Sequence, residues 1–372
     1  MTDPRILRLA DLLVNYSCAV KPGENLLLEA IDVPHEFAVA VVEAVKKAGG
    51  RPYVLLKSNR VTRALLNAAT TEQWQQIADV ERAQMEKMQS YIGARGSLNV
   101  SELADVASEN QRIFESSVWK QVHHEVRVKK TRWVVLRWPT SAMAQLAEMS
   151  TEAFEDFFFN VCTLDYAKMS RAMQPLRQLM NATDRVHLKG PGDTDLKFSI
   201  KSIPAIACDG HRNIPDGEVF TAPVRDSING VISFNCPTLY RSVTHNNARL
   251  VFRDGRVEEA TSTNTAKMLD VLNTDEGSRY CGEFAIGFNP YCTRPMKDIL
   301  FDEKIAGSIH LTPGACYDEA SNGNKSDIHW DLVMRQTDEV GGGEIYFDDR
   351  LIRKNGIFVL PELYPLNPEN LT

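Results

Sequence analysis

Residues Glu24–Ser58 read ENLLLEAIDVPHEFAVAVVEAVKKAGGRPYVLLKS, and this stretch decides the fold of the first half of the chain. ENLLLEA, after the turn KPG, is short and apolar, as a buried strand requires. PHEFAVAVVEAVKKAGG places apolar residues at i, i+3 and i+4, lysines in its last turn and glycines at its end, so it predicts a helix with a defined stop. RPYVLLKS is the next strand. Strand, helix and strand within about 35 residues form a βαβ unit, which demands a parallel sheet with right-handed crossovers. A second round follows: a helical stretch through VWKQVHHEV, the strand RWVVLRWP, and a helix from SAMAQLAEM. No glycine fingerprint or phosphate loop follows either early strand, so nothing points to a nucleotide. The adjacent His123 and His124 are expected to face different sides of their helix and to serve no common site.

Beyond about residue 185 the pattern changes. DRVHLKGPGDTDLKFSIK, GVISFNC, ARLVFRDGRVEEAT, GSIHLT, SDIHWDLVM and GEIYFDDRLIRKNGIFV are short strands, and their turns carry the Asp-Gly and Asn-Gly pairs of tight hairpins. The expected architecture is an α/β N-terminal domain with a parallel sheet over 1–184, followed by a β-rich α+β domain over 185–372. At 372 residues, two domains is also the expectation from length.

Composition narrows the partners. The chain is 43% hydrophobic and 24% charged with a formal net charge of -7, and its densest basic run, RVKKTR, leads straight into an apolar strand, so nucleic acid is not expected as a partner. No apolar run approaches the ~20 residues a membrane span needs, so no membrane is expected either. MTDPRILRLADLLVNYS reads as an amphipathic helix with internal charges, not as a secretory leader. The seven cysteines are scattered without a CxxC pair, which suits reduced thiols and a cytoplasmic location.

The second half concentrates groups that bind metal. NIPDGEVFTAP holds Glu218, GEFAIGFNP holds Glu283, LFDEKIAGSIHLTPGACYDEA supplies Glu303, His310 and Tyr317, and SDIHWDLV supplies His329 and Asp331. If SDIHWDLV is a strand, Asp327, His329 and Asp331 project from one face and Ile328, Trp330 and Leu332 from the other. Each carboxylate or imidazole sits beside an apolar run that draws it inward. Several buried carboxylates around one core imply a compensating cation. Imidazole with carboxylate and no thiolate suits zinc, cobalt, manganese or iron. Five such groups exceed the three protein ligands of a mononuclear catalytic zinc site, whereas a two-metal site with a shared carboxylate uses them all. A mononuclear non-heme iron dioxygenase, needing only His310, His329 and Asp331, is the alternative from another reaction class.

At NIPDGEVFTAP, DEGSRYCGEFAIGFNP, ILFDEKIAGSIHLTPGACY and KSDIHWDLV the sequence resembles the aminopeptidase T/aminopeptidase S family of metallo-aminopeptidases. The resemblance continues through ADLLVNYSCAVKPGENLLLEA, RWVVLRWPTSAMAQ and LKGPGDTDLKFSI. It implies a homodimeric exopeptidase acting on peptides with a free N-terminus through two divalent metal ions, zinc, cobalt or manganese. On the matching positions it implies Glu218, Glu283, His310, His329 and Asp331 as ligands, Glu283 as their bridge, Glu303 as a further ligand and Tyr317 as an active-site phenol. Glu218 and Glu303 are the candidates for moving the proton to the leaving amine. Asp209, Asp216 and Asp327 are acidic groups near enough in sequence to receive the substrate's α-amine.

Overall fold

The protein is described by a computed structural model covering residues 3–372, and it divides into two compact units. The first comprises 3–163 with Gly210–Ile214; the second comprises Leu164–Asp209 and Pro215–Thr372.

The first unit is the parallel α/β layer. Its strands are β1 (Asn25–Ile31), β2 (Arg51–Lys57), β3 (Ser90–Arg95) and β4 (Arg132–Arg137), in the spatial order β2-β1-β3-β4, all parallel, with Asn213–Ile214 pairing alongside β4. The chain therefore steps outward from β1 to β2 and then returns to the other side of β1 for β3. β1 is buried along its centre, as a strand covered on both faces must be, whereas the edge strand β2 leaves Tyr53, Val54 and Leu56 exposed. The helix His35–Lys47 connects β1 to β2, with Glu36 in its first turn and Lys46 and Lys47 in its last, each complementing the helix dipole.

One expectation in this unit is corrected. Glu115–Val128 is wound more widely than an α-helix, as a π-helix, and the change of period brings both histidines to Trp119. The His123 ring stacks on Trp119 with centroids 4.0 Å apart, and Trp119 Nε1 donates to His124 Nε2 at 3.0 Å.

The second unit is antiparallel. An eight-stranded sheet runs in the order 256–261, 249–253, 229–233, 195–199, 185–189, 344–347, 350–354, 357–358. Two of its hairpins turn through Asp254-Gly255 and Asn355-Gly356, all four residues at positive φ, the conformation a two-residue loop needs to match strand twist. A five-stranded sheet carries β5 (Glu218–Thr221), β6 (Cys281–Gly287), β7 (Ser308–Pro313) and β8 (Leu332–Arg335) in the order β8-β7-β6-β5, with Ile206–Cys208 at its far edge. Phe198 of the first sheet meets Phe284 of β6 edge-to-face with centroids 5.0 Å apart, so the two sheets share a core.

The helices Tyr166–Ala172 and Gln174–Ala182 belong to this second unit, so the compact units part after Thr163, ahead of the 184/185 division expected from the sequence. Side-chain contacts explain it: Leu176 and Met180 are buried, and the backbone NH of Asp216 donates to the Tyr166 hydroxyl at 2.9 Å. Among the described residues, no helix is long and apolar enough to cross a membrane.

Candidate metal centre

The site is built on one face of the five-stranded sheet. Glu218 pairs with Gly287, Ala285 with His310, and Glu283 with Thr312, so side-chain alternation turns Glu218, Glu283, His310 and Thr312 to a common face. The opposite face carries Val219, Phe284, Ile286, Ile309 and Leu311, all buried. A register shift between Cys281 and Glu283 re-aims the start of β6. Gly217, at φ +130°, turns the chain into Glu218; a Cβ there would lie 3.1 Å from the Asn289 side chain.

His329 and Asp331 arrive from the stretch just before β8. This stretch is not a continuous strand: regular pairing begins at Leu332, and His329 makes an isolated bridge to Gly314. The alternation nevertheless holds, because Ile328, Trp330 and Leu332 are buried while Asp327 is exposed and His329 and Asp331 are half-buried. Gly314 permits the approach, since a Cβ at that position would lie 2.1 Å from the Ile328 carbonyl oxygen.

Two three-residue groups result, Glu218–Glu283–His310 and Glu283–His329–Asp331, and they share Glu283. His310 Nε2 lies 3.2 Å from Glu283 Oε1 and its Nδ1 3.6 Å from Glu218 Oε2. His329 Nε2 lies 3.1 Å from Glu283 Oε2 and 3.2 Å from Asp331 Oδ1. His329 Nδ1 is 2.8 Å from the Ala315 carbonyl oxygen and donates to it, which fixes the tautomer and presents Nε2 to the carboxylates. Thr312 Oγ1 donates to Asp331 Oδ1 at 2.6 Å and sets its orientation. A third group, Cys208–Asp216–Glu218, adjoins the first through Glu218.

Lys304 was not anticipated. It is fully buried, and its Nζ lies 2.5 Å from Glu218 Oε1, 2.8 Å from Glu303 Oε1 and 3.3 Å from Asp216 Oδ1. Glu303 thus joins the cluster through Lys304 and stands outside both three-residue groups. The run DEK reads as a solvated charge cluster; the only local sign to the contrary is its position between LF and IAG. Of the acidic residues considered for amine recognition, Asp216 faces Lys304, Asp209 accepts from Ser170 Oγ at 2.6 Å, and Asp327 is exposed. Tyr317 is 48% exposed, its ring 4.8 Å from that of His329.

Charge within the cluster is unbalanced. Burial alone would drive His310 toward its neutral form, but Glu218 and Glu283 overcome it and raise its pKa to about 10. Burial likewise opposes ionisation of Glu283, yet hydrogen bonds from His310 and His329 bring it below its ordinary value. Glu303 is pushed up to about 8 by burial and by Glu218 and Asp331, against the pull of Lys304. The carboxylates thus favour positive charge at both imidazole positions. Two buried atoms remain without any hydrogen-bond partner, Glu218 Oε2 and His310 Nδ1, and they face one another. Orphaned acceptor and imidazole atoms turned to one point, in a donor set of carboxylate and imidazole, fit a divalent metal ion.

Comparison with known proteins agrees in fold and family. The profile of the thermophilic metalloprotease family, M29, matches residues 2–358. Aminopeptidase AmpS of Bacillus subtilis (strain 168) is 24% identical over 369 residues, covering 89% of this chain and 88% of its own. The structure of wild-type AmpT from Thermus thermophilus superimposes with a TM-score of 0.79 at 20% identity, over 96% of this chain and 99% of that one. A 2,5-dihydroxypyridine dioxygenase from Pseudomonas putida KT2440 shares the fold at a TM-score of 0.62 and 12% identity, over 96% of this chain and 98% of that one.

Proposed function

The chain belongs to the thermophilic metalloprotease family, M29, and from that premise we propose that it is a metallo-aminopeptidase that removes the N-terminal residue of short peptides at a dinuclear centre. The observation that supports two metals is the pair of three-residue groups meeting at Glu283. Glu218, Glu283 and His310 would hold one ion and Glu283, His329 and Asp331 the other, Glu283 being common to both groups. When bound there, zinc, cobalt or manganese would supply Lewis acidity to a water and to the scissile carbonyl.

The chain's own residues supply the rest. Lys304 fixes the Glu218 and Glu303 carboxylates in orientation, and one of these carboxylates carries the proton to the leaving amine. Tyr317, exposed beside His329, donates its hydroxyl to the developing oxyanion. A homodimer, on the strength of the resemblance to aminopeptidases T and S, and a cytoplasmic location, on the scattered free cysteines, complete the proposal.

The shared fold of the dioxygenase gives the iron reading one point of support. The arrangement of ligands favours the peptidase: His310, His329 and Asp331 do not make a group by themselves, because Glu283 lies between His310 and the other two. Metal analysis of the purified chain alongside an aminoacyl-amide panel tests the proposal. Two divalent ions per chain and chelator-sensitive hydrolysis restored by cobalt or zinc are expected; one iron per chain, or hydrolysis indifferent to chelator, overturns it.

A further inference from the structure

The first unit contains a cavity of about 570 Å³ that the peptidase chemistry leaves unused. Its apolar wall is formed by Leu65, Trp74, Ile77, Phe114, Val118 and Trp119. Its inner end is polar and is assembled from the carboxyl ends of three neighbouring strands, with Ile31 of β1, Lys57 of β2 and Arg95 of β3. This is the point where the strand order reverses, between β1 and β3, and open parallel sheets bind ligands in the crevice at that reversal. The volume suits a small organic molecule.

The charges at the inner end do not cancel. Lys57, Arg95 and Arg127 face two carboxylates, Glu29 and Glu81. Lys57 Nζ takes both, at 3.1 Å from Glu29 Oε2 and 2.8 Å from Glu81 Oε1. Arg127 lies 3.6 Å from Glu29 Oε2 with its guanidinium 3.9 Å over the Tyr91 ring, and Tyr91 donates to the other Glu29 oxygen at 3.2 Å. Both carboxylates are therefore occupied. Arg95 has no carboxylate within ion-pair distance among the described residues, and the buried Nε of Arg127 has no hydrogen-bond partner. His123 adds no negative charge; burial, then Arg127 and Arg95, press its pKa down to about 3, so it stays neutral.

The geometry points to this cavity as a binding site for a small carboxylic acid with an apolar, aromatic-sized body, its carboxylate on Arg95 and its body against Trp74, Phe114 and Trp119. A guanidinium with no carboxylate in ion-pair reach, lining an apolar chamber, selects one negative charge, and guanidinium suits the planar carboxylate. Free apolar amino acids and simple aryl-alkanoic acids share this chemistry.

Isothermal titration calorimetry on the full-length chain separates the outcomes, using 3-phenylpropionate, L-phenylalanine and neutral 3-phenylpropanamide. Saturable binding of either acid is expected, with the amide at least about ten-fold weaker, as loss of a charge-assisted pair predicts. Arg95→Gln should erase that preference, while Glu283→Ala, altered only at the metal centre, should bind as the parent does. Val118→Trp, which fills the chamber, should abolish binding of acid and amide alike, while amide binding retained by Arg95→Gln guards against a folding defect in the arginine variant. No saturable binding of either acid, equal affinity for the amide, or undiminished preference in Arg95→Gln overturns the inference.

Discussion

The two units each gather a knot of ionised side chains, largely buried in one and partly buried in the other, and the knots are unbalanced in opposite directions. In the β-rich unit Asp216, Glu218, Glu283, Glu303 and Asp331 surround one permanent cation, Lys304, and two imidazoles, His310 and His329. In the α/β unit Lys57, Arg95 and Arg127 outnumber Glu29 and Glu81. A buried charge without a partner is costly, so each imbalance specifies the sign of what completes it. The first cluster fits the cations of the proposed metal centre and the second the anion inferred for the cavity. The difference teaches that net charge over the whole chain, -7, says little about either site.

The heaviest blow to this contrast is removal of the carboxylate shared by both metal groups. Glu283→Ala is expected to lower kcat/KM by at least about a thousand-fold, equivalent to about 4 kcal/mol of transition-state stabilisation, with loss of bound metal. A variant that keeps its metal and its turnover would break the assignment of Glu283 as a bridge.

Next comes the one lysine inside the acidic knot. Lys304→Met leaves Asp216, Glu218 and Glu303 without their cation and is expected to destabilise the metal-free chain by about 3–5 kcal/mol. Divalent metal should recover part of that loss. Urea unfolding with and without zinc measures both; equal losses in the two conditions would show that metal and lysine do not share the same charge.

A smaller effect is expected from Thr312, which touches no proposed substrate and holds Asp331 in place. Thr312→Val should weaken metal affinity by about 10–100-fold, read by competition with a chelator. Unchanged affinity would mean that Asp331 is oriented by something else.

The mildest test lies in the other unit. His123 titrates at about 3 in the folded chain instead of near 6.5, because burial and then Arg127 and Arg95 disfavour its charged form. Unfolding therefore takes up a proton in mildly acid solution. The contribution of His123 is complete above about 6.5 and is lost as pH falls toward 3. The melting temperature of His123→Gln, followed across that window, should fall less steeply than that of the parent. Identical slopes would place His123 outside the cationic knot.

Much of this was legible in the linear chain. The β1–helix–β2 unit, the Asp-Gly and Asn-Gly hairpins and the apolar face of Ile328, Trp330 and Leu332 are local patterns, and their periods of 3.6 and 2 depend only on near neighbours. The metal-binding residue types were also visible, each beside an apolar run. Lys304 was not, because DEK in isolation is a solvated surface run and only packing shows it to be fully buried. The histidine pair departs from expectation in one respect: α-helical spacing puts His123 and His124 on different sides, whereas the wider winding of Glu115–Val128 lets both touch Trp119, although His124 stays exposed and only His123 lines the cavity.

By itself, then, the sequence determined the β1–helix–β2 unit, the Asp-Gly and Asn-Gly hairpins, the apolar face of Ile328, Trp330 and Leu332, and which residue types could ligate a metal; the strands Ser90–Arg95, Glu218–Thr221 and Cys281–Gly287 emerged only in the folded sheets. The tertiary structure alone decided that Glu283 lies between two imidazoles, that Lys304 sits among carboxylates, and that Arg95 lines an apolar chamber with no carboxylate in ion-pair reach. The physical reason is range. Periodicity is written by residues a few positions apart, whereas the energy of a buried charge depends on everything within several ångströms of it, whatever its place in the chain.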